Sequence, residues 1–86
     1  MLKHSPEQQL FQFEQDNDMA ILKYKLIVDN DLGPSYVDFY STFVPETLRS
    51  QGIAERLVRA GLKWANDNNF QITASCWYVK KFLRKK

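Results

Sequence analysis

Two short clusters in this chain combine side chains whose types and spacing suit chemistry. The first is Val44-Pro45-Glu46-Thr47-Leu48-Arg49-Ser50-Gln51-Gly52-Ile53-Ala54, with Arg49, Gly52 and Ala54 at the spacing R-x-x-G-x-A. An apolar segment stops at a proline, a polar turn follows, and an amphipathic pattern starts directly behind it. The opening turn of a helix carries backbone N–H groups without intrahelical acceptors, and the helix dipole adds partial positive charge there. Arg49 supplies a fixed charge and a planar fork of donors. Gly52 lets a ligand approach the backbone, and Ala54 keeps the first turn narrow. Phosphate is the natural partner of such a turn. A pyrophosphate with a long apolar or amide tail fits it, whereas a P-loop needs Gly-Lys-Ser/Thr and a dinucleotide fingerprint needs three glycines. The second cluster is Cys76-Trp77-Tyr78-Val79. A thiol at a helix start ionises more readily than a free one, and a phenol one turn further on is a proton donor.

The elements that must position these clusters follow from hydrophobic periodicity. Residues 8–14 read as a strand with Phe11 and Phe13 on one face. Gln15-Asp16-Asn17-Asp18 is a turn signal. Residues 19–28 alternate, placing Leu22, Tyr24, Leu26 and Val28 on one face and Lys23 and Lys25 on the other. Asp29 to Pro34 is a loop. Residues 35–44 alternate again, with Val37, Phe39 and Phe43 together. Short connections make these three strands an antiparallel meander. The period then changes: Ile53, Leu57, Val58, Gly61, Leu62 and Ala65 form a helical stripe from 52 to about 67, with Arg56, Arg59, Lys63 and Asn66 facing out. Asp67-Asn68-Asn69 stops the helix. Phe70, Ile72 and Ala74 form a fourth strand, and Ser75 is placed to cap a last helix that turns Val79, Phe82 and Leu83 inward. The order β-β-β-α-β-α predicts an α/β (α+β) fold: a mixed sheet of three antiparallel strands plus a βαβ crossover. Crossovers are right-handed and join parallel strands, and ligands sit beyond the carboxyl ends of such strands. The turn at 45–52 and the run at 75–77 leave those ends, so both clusters should meet at one edge.

Composition narrows the class. Residues 1–86 suit one small domain with a thin core. With 44% hydrophobic and 14% aromatic residues, the chain is too apolar for disorder. No apolar run approaches the roughly 20 residues of a membrane span, and MLKHSPEQQL lacks the apolar core of a signal peptide. A single cysteine excludes an internal disulfide and a cysteine-only metal cluster, so neither a metal nor an oxidising compartment is expected; a reducing cytoplasm is. Net charge is only +2, yet residues 1–48 hold three Lys/Arg against eight Asp/Glu (−5) and residues 49–86 hold nine against two (+7). The sign reverses at Arg49, and a half so charged attracts anions.

The loop Val44-Pro45-Glu46-x-Leu48-Arg49-x-Gln51-Gly52-Ile53-Ala54, with the helix behind it, resembles the coenzyme A loop of the GCN5-related N-acetyltransferases, whose signature is Gln/Arg-x-x-Gly-x-Gly/Ala. Cys76-Trp77-Tyr78-Val79 resembles the Cys-x-Tyr-Val run of that superfamily's minimal YjdJ-type branch, and the resemblance covers roughly residues 8–84. It implies a minimal fold of this superfamily with acetyl-CoA as cosubstrate. The amides of Ser50, Gln51, Gly52, Ile53 and Ala54 would hold the pyrophosphate beside Arg49. Phe43 and Val44 would hydrogen-bond the pantetheine arm. By its place at the exit of the fourth strand Cys76 is either a small buried hydrophobe or a thiol near the acyl sulfur, and the Tyr78 phenol is either aromatic packing or the proton donor to the departing thiolate. Ser50 stands where Gly is common in the branch, and Ser41 stands where His often precedes Thr-x-Val-Pro, so that base is missing.

The reading is an acetyl-CoA-binding N-acetyltransferase acting on an unidentified amine, a small molecule or a protein lysine or N-terminus. Transfer proceeds by direct attack or through an acetyl-Cys76 intermediate. A non-catalytic acyl-CoA-binding sensor is the alternative. A nucleic-acid-binding protein using the basic half is third, since no stacking platform of interleaved aromatics is evident; nucleic acid and membrane are not expected as partners. An exposed edge strand makes a homodimer an expectation. His4 is placed in a frayed terminus without a role, and Trp64 and Trp77 are expected to bury apolar area. Lys80 to Lys86 read as a solvated helix end within reach of the coenzyme's 3′-phosphate.

Overall fold

The structure is a computed structural model that describes residues 2–28, 35–49 and 51–84, with the side chain of residue 84 excluded. The expected loop of 29–34, Ser50, Lys85 and Lys86 lie outside the described residues. Strands β1 (Leu2–Ser5), β2 (Leu10–Gln15), β3 (Asp18–Ile27), β4 (Tyr36–Phe43) and β5 (Gln71–Ala74) form one sheet in the order β1-β2-β3-β4-β5. Helix α1 (Ile53–Asp67) joins β4 to β5, and α2 (Trp77–Arg84) follows β5. The first three pairings are antiparallel and the last is parallel. The α+β class, the mixed sheet and the crossover therefore match expectation.

Local chemistry explains the elements. The β2–β3 hairpin turns on Asp16 and Asn17, with φ of 52° and 71°. A two-residue turn with both central φ values positive matches the twist of antiparallel strands. Helix α1 presents Ile53, Leu57, Val58, Gly61 and Ala65 as its buried stripe. That stripe covers Phe11, Phe13, Leu22, Tyr24, Val37 and Phe39, the inward residues of three strands. Burying a side chain such as Leu57 contributes about 1.5–3 kcal/mol. The helix ends where Asn69 turns left-handed, with φ 60°. Val79 of α2 completes the same core.

Five expectations need correction. The N-terminus is not frayed: Leu2–Ser5 pairs with β2, and His4 faces Phe11. The His4 ring stacks on Phe11 at 4.1 Å and 3°, meets Trp64 edge-on at 4.8 Å and shares a 2.5 Å hydrogen bond with the Tyr24 hydroxyl. Phe43 does not join Val37 and Phe39. The β3–β4 register slips between Lys23 and Tyr24, because Lys23 pairs with Ser41 while Tyr24 pairs with Phe39. Tyr40 is the extra residue of this bulge, and an extra residue reverses the inward and outward phase behind it. Phe43 is consequently 54% exposed. Val28 falls just past the end of β3 and is 57% exposed, because there the chain has left the sheet. Ser75, expected as a cap, donates to Asp38 Oδ2 at 2.9 Å. Trp77, expected to bury apolar area, is 69% exposed at the start of α2, whose inward positions are taken by Val79 and Phe82. Trp64, by contrast, packs against His4, Phe11, Tyr24 and Phe70.

Candidate functional site

The parallel ladder of β4 and β5 stops at Phe39 and Ala74. There the Phe39 carbonyl accepts from both Ser75 N–H (3.1 Å) and Cys76 N–H (3.2 Å), and the chain turns away into α2. β4 continues to Phe43, paired on its other edge with Ile21, Leu22 and Lys23 of β3. Among the described residues no strand pairs with the edge of Tyr40–Phe43 on the β5 side. The two strands therefore fork at Phe39, and the β4 prong beyond it has no partner strand on that side among the described residues, its Thr42 amide turning to Cys76 Sγ instead. Such an edge accepts an extended amide chain as an added strand.

The second wall is the turn between β4 and α1. Helix α1 begins with Gly52 in the left-handed region, φ 73°, a conformation that costs a side-chain-bearing residue roughly 1–2 kcal/mol. A Cβ built on Gly52 would meet no atom within 4 Å, so its backbone faces open space. The first helical bond runs from Arg56 N–H to the Gly52 carbonyl at 3.1 Å, and the amides before it lack intrahelical acceptors.

Side chains brace this turn from behind. Thr47 Oγ1 donates to Asp18 Oδ2 at 2.5 Å. Gln51 Oε1 accepts from Gln15 Nε2 at 3.2 Å, and Gln51 Nε2 donates to the Thr47 carbonyl at 3.2 Å. Arg49 Nε donates to the Val44 carbonyl at 3.0 Å, which fixes its charge beside the end of β4. The one carboxylate on the first turn, Glu55, is paired with Arg59 at 2.5 Å, which offsets its repulsion of an anion.

Fork and turn open into one cleft. Thr42, Phe43, Val44, Arg49, Ala54, Trp77 and Tyr78 enclose about 480 Å³. An adjoining hollow of about 190 Å³ shares Val44, Arg49, Ala54 and Tyr78 and adds Leu48, Gly52, Ile53 and Glu55. The expected site residues Phe43, Val44, Arg49, Gly52, Ile53, Ala54 and Tyr78 thus line these two adjoining cavities, whereas Gln51 and Cys76 line neither. The Lys81 ammonium lies 4.8 Å from the Trp77 ring centre and 5.7 Å from that of Tyr78, adding positive charge on the same side.

Cys76 sits half-buried at the fork. Its Sγ lies 3.5 Å from Thr42 Oγ1. Partial burial pushes the thiol up, but the Thr42 hydroxyl and the backbone amides of Val79, Tyr78 and Thr42 outweigh that cost and hold it below the ordinary thiol range. These are hydrogen bonds to the charged form; the Tyr78 and Val79 amides belong to the start of α2 and the Thr42 amide to β4. Tyr78 moves the other way: partial burial and then the charge of Glu55 raise its phenol, which keeps its proton in place.

Thr42 and Asp38 were not singled out by the sequence. Thr42 faces Cys76 only because the Tyr40 bulge turned it, and no local pattern announces that bulge. Asp38 carried a signal: it is the one charged side chain of β4. Ser41, the expected gap in the machinery, pairs with Lys23 one residue before Thr42.

A family model described as GCN5-related N-acetyl-transferase matches residues 10–86. Protein NATD1 of Bos taurus is 32% identical over 69 residues, covering 80% of this chain and 57% of that protein. Protein NATD1 of Homo sapiens is 30% identical over 69 residues, 80% of this chain and 57% of that protein. Protein NATD1 of Danio rerio is 30% identical over 69 residues, with shares of 80% and 58%. The match thus spans little more than half the length of these relatives. No helix among the described residues is long and apolar enough to cross a membrane.

Proposed function

The chain belongs to the GCN5-related N-acetyltransferase family, and from that premise we propose that it binds acetyl-CoA and transfers the acetyl group to a primary amine. The observation that carries this reading is the fork at Phe39 beside the left-handed turn at Gly52. One offers an open strand edge to an amide-bearing arm, the other an open anion cradle, and a single cleft joins them.

The residues fit the cosubstrate in three places. The amides of Gln51 to Ala54 hold the pyrophosphate at the positive end of α1, with Arg49 neutralising its charge; the neighbouring Ser50 offers a hydroxyl. The edge of β4 up to Phe43 and Val44 hydrogen-bonds the pantetheine arm and leads it to the fork. Lys81, over the Trp77 and Tyr78 rings, adds positive charge for the coenzyme's phosphates. The thioester supplies the activated acetyl group. The chain's own residues orient it, exclude water from the fork and move the proton: Tyr78, held protonated, donates to the leaving sulfur. The amine attacks the thioester directly. Cys76 stands at the fork beside Thr42, where the arm ends, and a route through acetyl-Cys76 is the lesser path.

Isothermal titration with acetyl-CoA, CoA and a short oligonucleotide tests this. Both coenzyme forms should bind, and the oligonucleotide should show no more than weak, salt-sensitive association. Absence of coenzyme binding, or sub-micromolar oligonucleotide binding at physiological salt, overturns the reading. Ser41 in place of a histidine base favours one second reading, a binding module without turnover, which release of free CoA in the presence of amines distinguishes.

A further inference from the structure

The sheet has a second open face. Inward Val37 and Phe39 alternate with Tyr36 and Asp38, which point away from α1. There Lys25, Ile27, Tyr36, Asp38, Gln71 and Thr73 line a groove of about 460 Å³, within the size range of small-molecule sites. Its polar centre is organised: Asp38 Oδ1 accepts from Thr73 Oγ1 and Asp38 Oδ2 from Ser75 Oγ, both at 2.9 Å. Each carboxylate oxygen keeps acceptor capacity for a further donor. Lys25 is the register partner of Asp38 on β3, yet the described ion pairs do not include it. The two hydroxyls hold the carboxylate from the β5 side, and Lys25 stands across from it on β3.

The position matters as much as the charge. Asp38 precedes Phe39, whose carbonyl is the fork point, and Ser75 precedes Cys76. The Asp38 end of the groove therefore reaches the fork from the face opposite α1.

We propose that this groove is the acceptor site and that it takes a small zwitterionic amino acid, with the ammonium on Asp38, the carboxylate on Lys25 and an apolar side chain along Ile27 and Tyr36. This rests on the acetyl-transfer reading above. A zwitterion satisfies both charges at once, whereas a simple amine leaves Lys25 unmatched and a simple acid leaves Asp38 unmatched. The ammonium loses a first proton to solvent while Asp38 and the Ser75 hydroxyl hold the nitrogen by hydrogen bonds. The nitrogen lone pair forms the C–N bond as the thioester C–S bond breaks. Tyr78 protonates the leaving thiolate, and the second proton shed by the nitrogen restores Tyr78 through water.

Amide NMR titration with L-phenylalanine and with phenethylamine, which lacks the carboxylate, tests the proposal without acetyl-CoA. L-phenylalanine should shift Lys25, Ile27, Asp38 and Thr73, and phenethylamine should bind at least tenfold more weakly. Lys25→Met should weaken L-phenylalanine at least tenfold and remove the preference between the two probes. Asp38→Asn, nearly isosteric, should weaken both. Absence of groove shifts up to about 10 mM, an order of magnitude above the usual KM ceiling, or a preference that survives Lys25→Met, overturns the inference. Failure of acetyl-CoA titration alone defeats the transfer reading and leaves the groove result standing.

Discussion

Cys76 Sγ and Thr42 Oγ1 lie 3.5 Å apart across a sequence separation of 34 residues. The contact joins the last rungs of β4 to the start of α2, across the fork. It exists because the Tyr40 bulge turns Thr42 inward.

That contact predicts the behaviour of the thiol. The Thr42 hydroxyl is the first of the groups that lower the Cys76 pKa. Thr42→Val should therefore move the midpoint of the pH–alkylation profile upward, because the charged form loses a hydrogen bond while burial stays. Iodoacetamide kinetics against pH measure it, and an unmoved midpoint contradicts the assignment. In the wild type, acetyl-CoA should slow the labelling. Cys76→Ser should reduce transfer only in part, since direct attack needs no cysteine; complete loss would make Cys76 the nucleophile.

Gly52 predicts a separation of stability from binding. Gly52→Val forces a left-handed φ of 73°, yet a Cβ there meets no neighbour. The fold should survive with a cost of roughly 1–2 kcal/mol. Acetyl-CoA should bind at least tenfold more weakly, about 1.4 kcal/mol, because the side chain fills the approach to the cradle. Unchanged affinity by titration calorimetry in a folded variant rejects the cradle.

Gly61 predicts the opposite balance. Ala normally gains up to about 1 kcal/mol over Gly inside a helix. Here a Cβ would lie 2.8 Å from Phe39 Cε1 and 3.1 Å from Leu22 Cδ2, both on buried side chains. Gly61→Ala should instead destabilise by about 1–3 kcal/mol, read from urea midpoints. A stabilised variant means that Phe39 yields without cost.

His4 predicts a pH window. Burial holds its imidazole below the ordinary value of 6.5. The unfolded chain then binds the extra proton first, so stability is full above about pH 6.5 and falls as pH drops through the folded pKa. His4 is the sole histidine, which keeps the window clean. The thermal midpoint should fall between about pH 7 and 5.5 in the wild type and less in His4→Phe; equal slopes reject a neutral His4 in the Phe11–Tyr24–Trp64 cluster.

The sequence by itself determined the elements from β2 onward and the turn. Strand alternation, the helical stripe from Ile53 to Ala65 and the R-x-x-G-x-A spacing are local, because period and backbone freedom are properties of neighbouring residues. They sufficed to bring the turn at Gly52 and the run at Cys76 to one edge. The tertiary structure alone decided three things. A bulge at Tyr40 exchanged Phe43 for Thr42 on the inner face, since register belongs to a pair of strands and not to either one. His4 became part of the core because β2 and Trp64 supply its partners, and a short terminal strand has no periodicity long enough to read. Asp38 met Thr73 and Ser75 because a parallel crossover set β5 beside β4; residues 35 or more positions apart acquire a shared chemistry only when the chain returns.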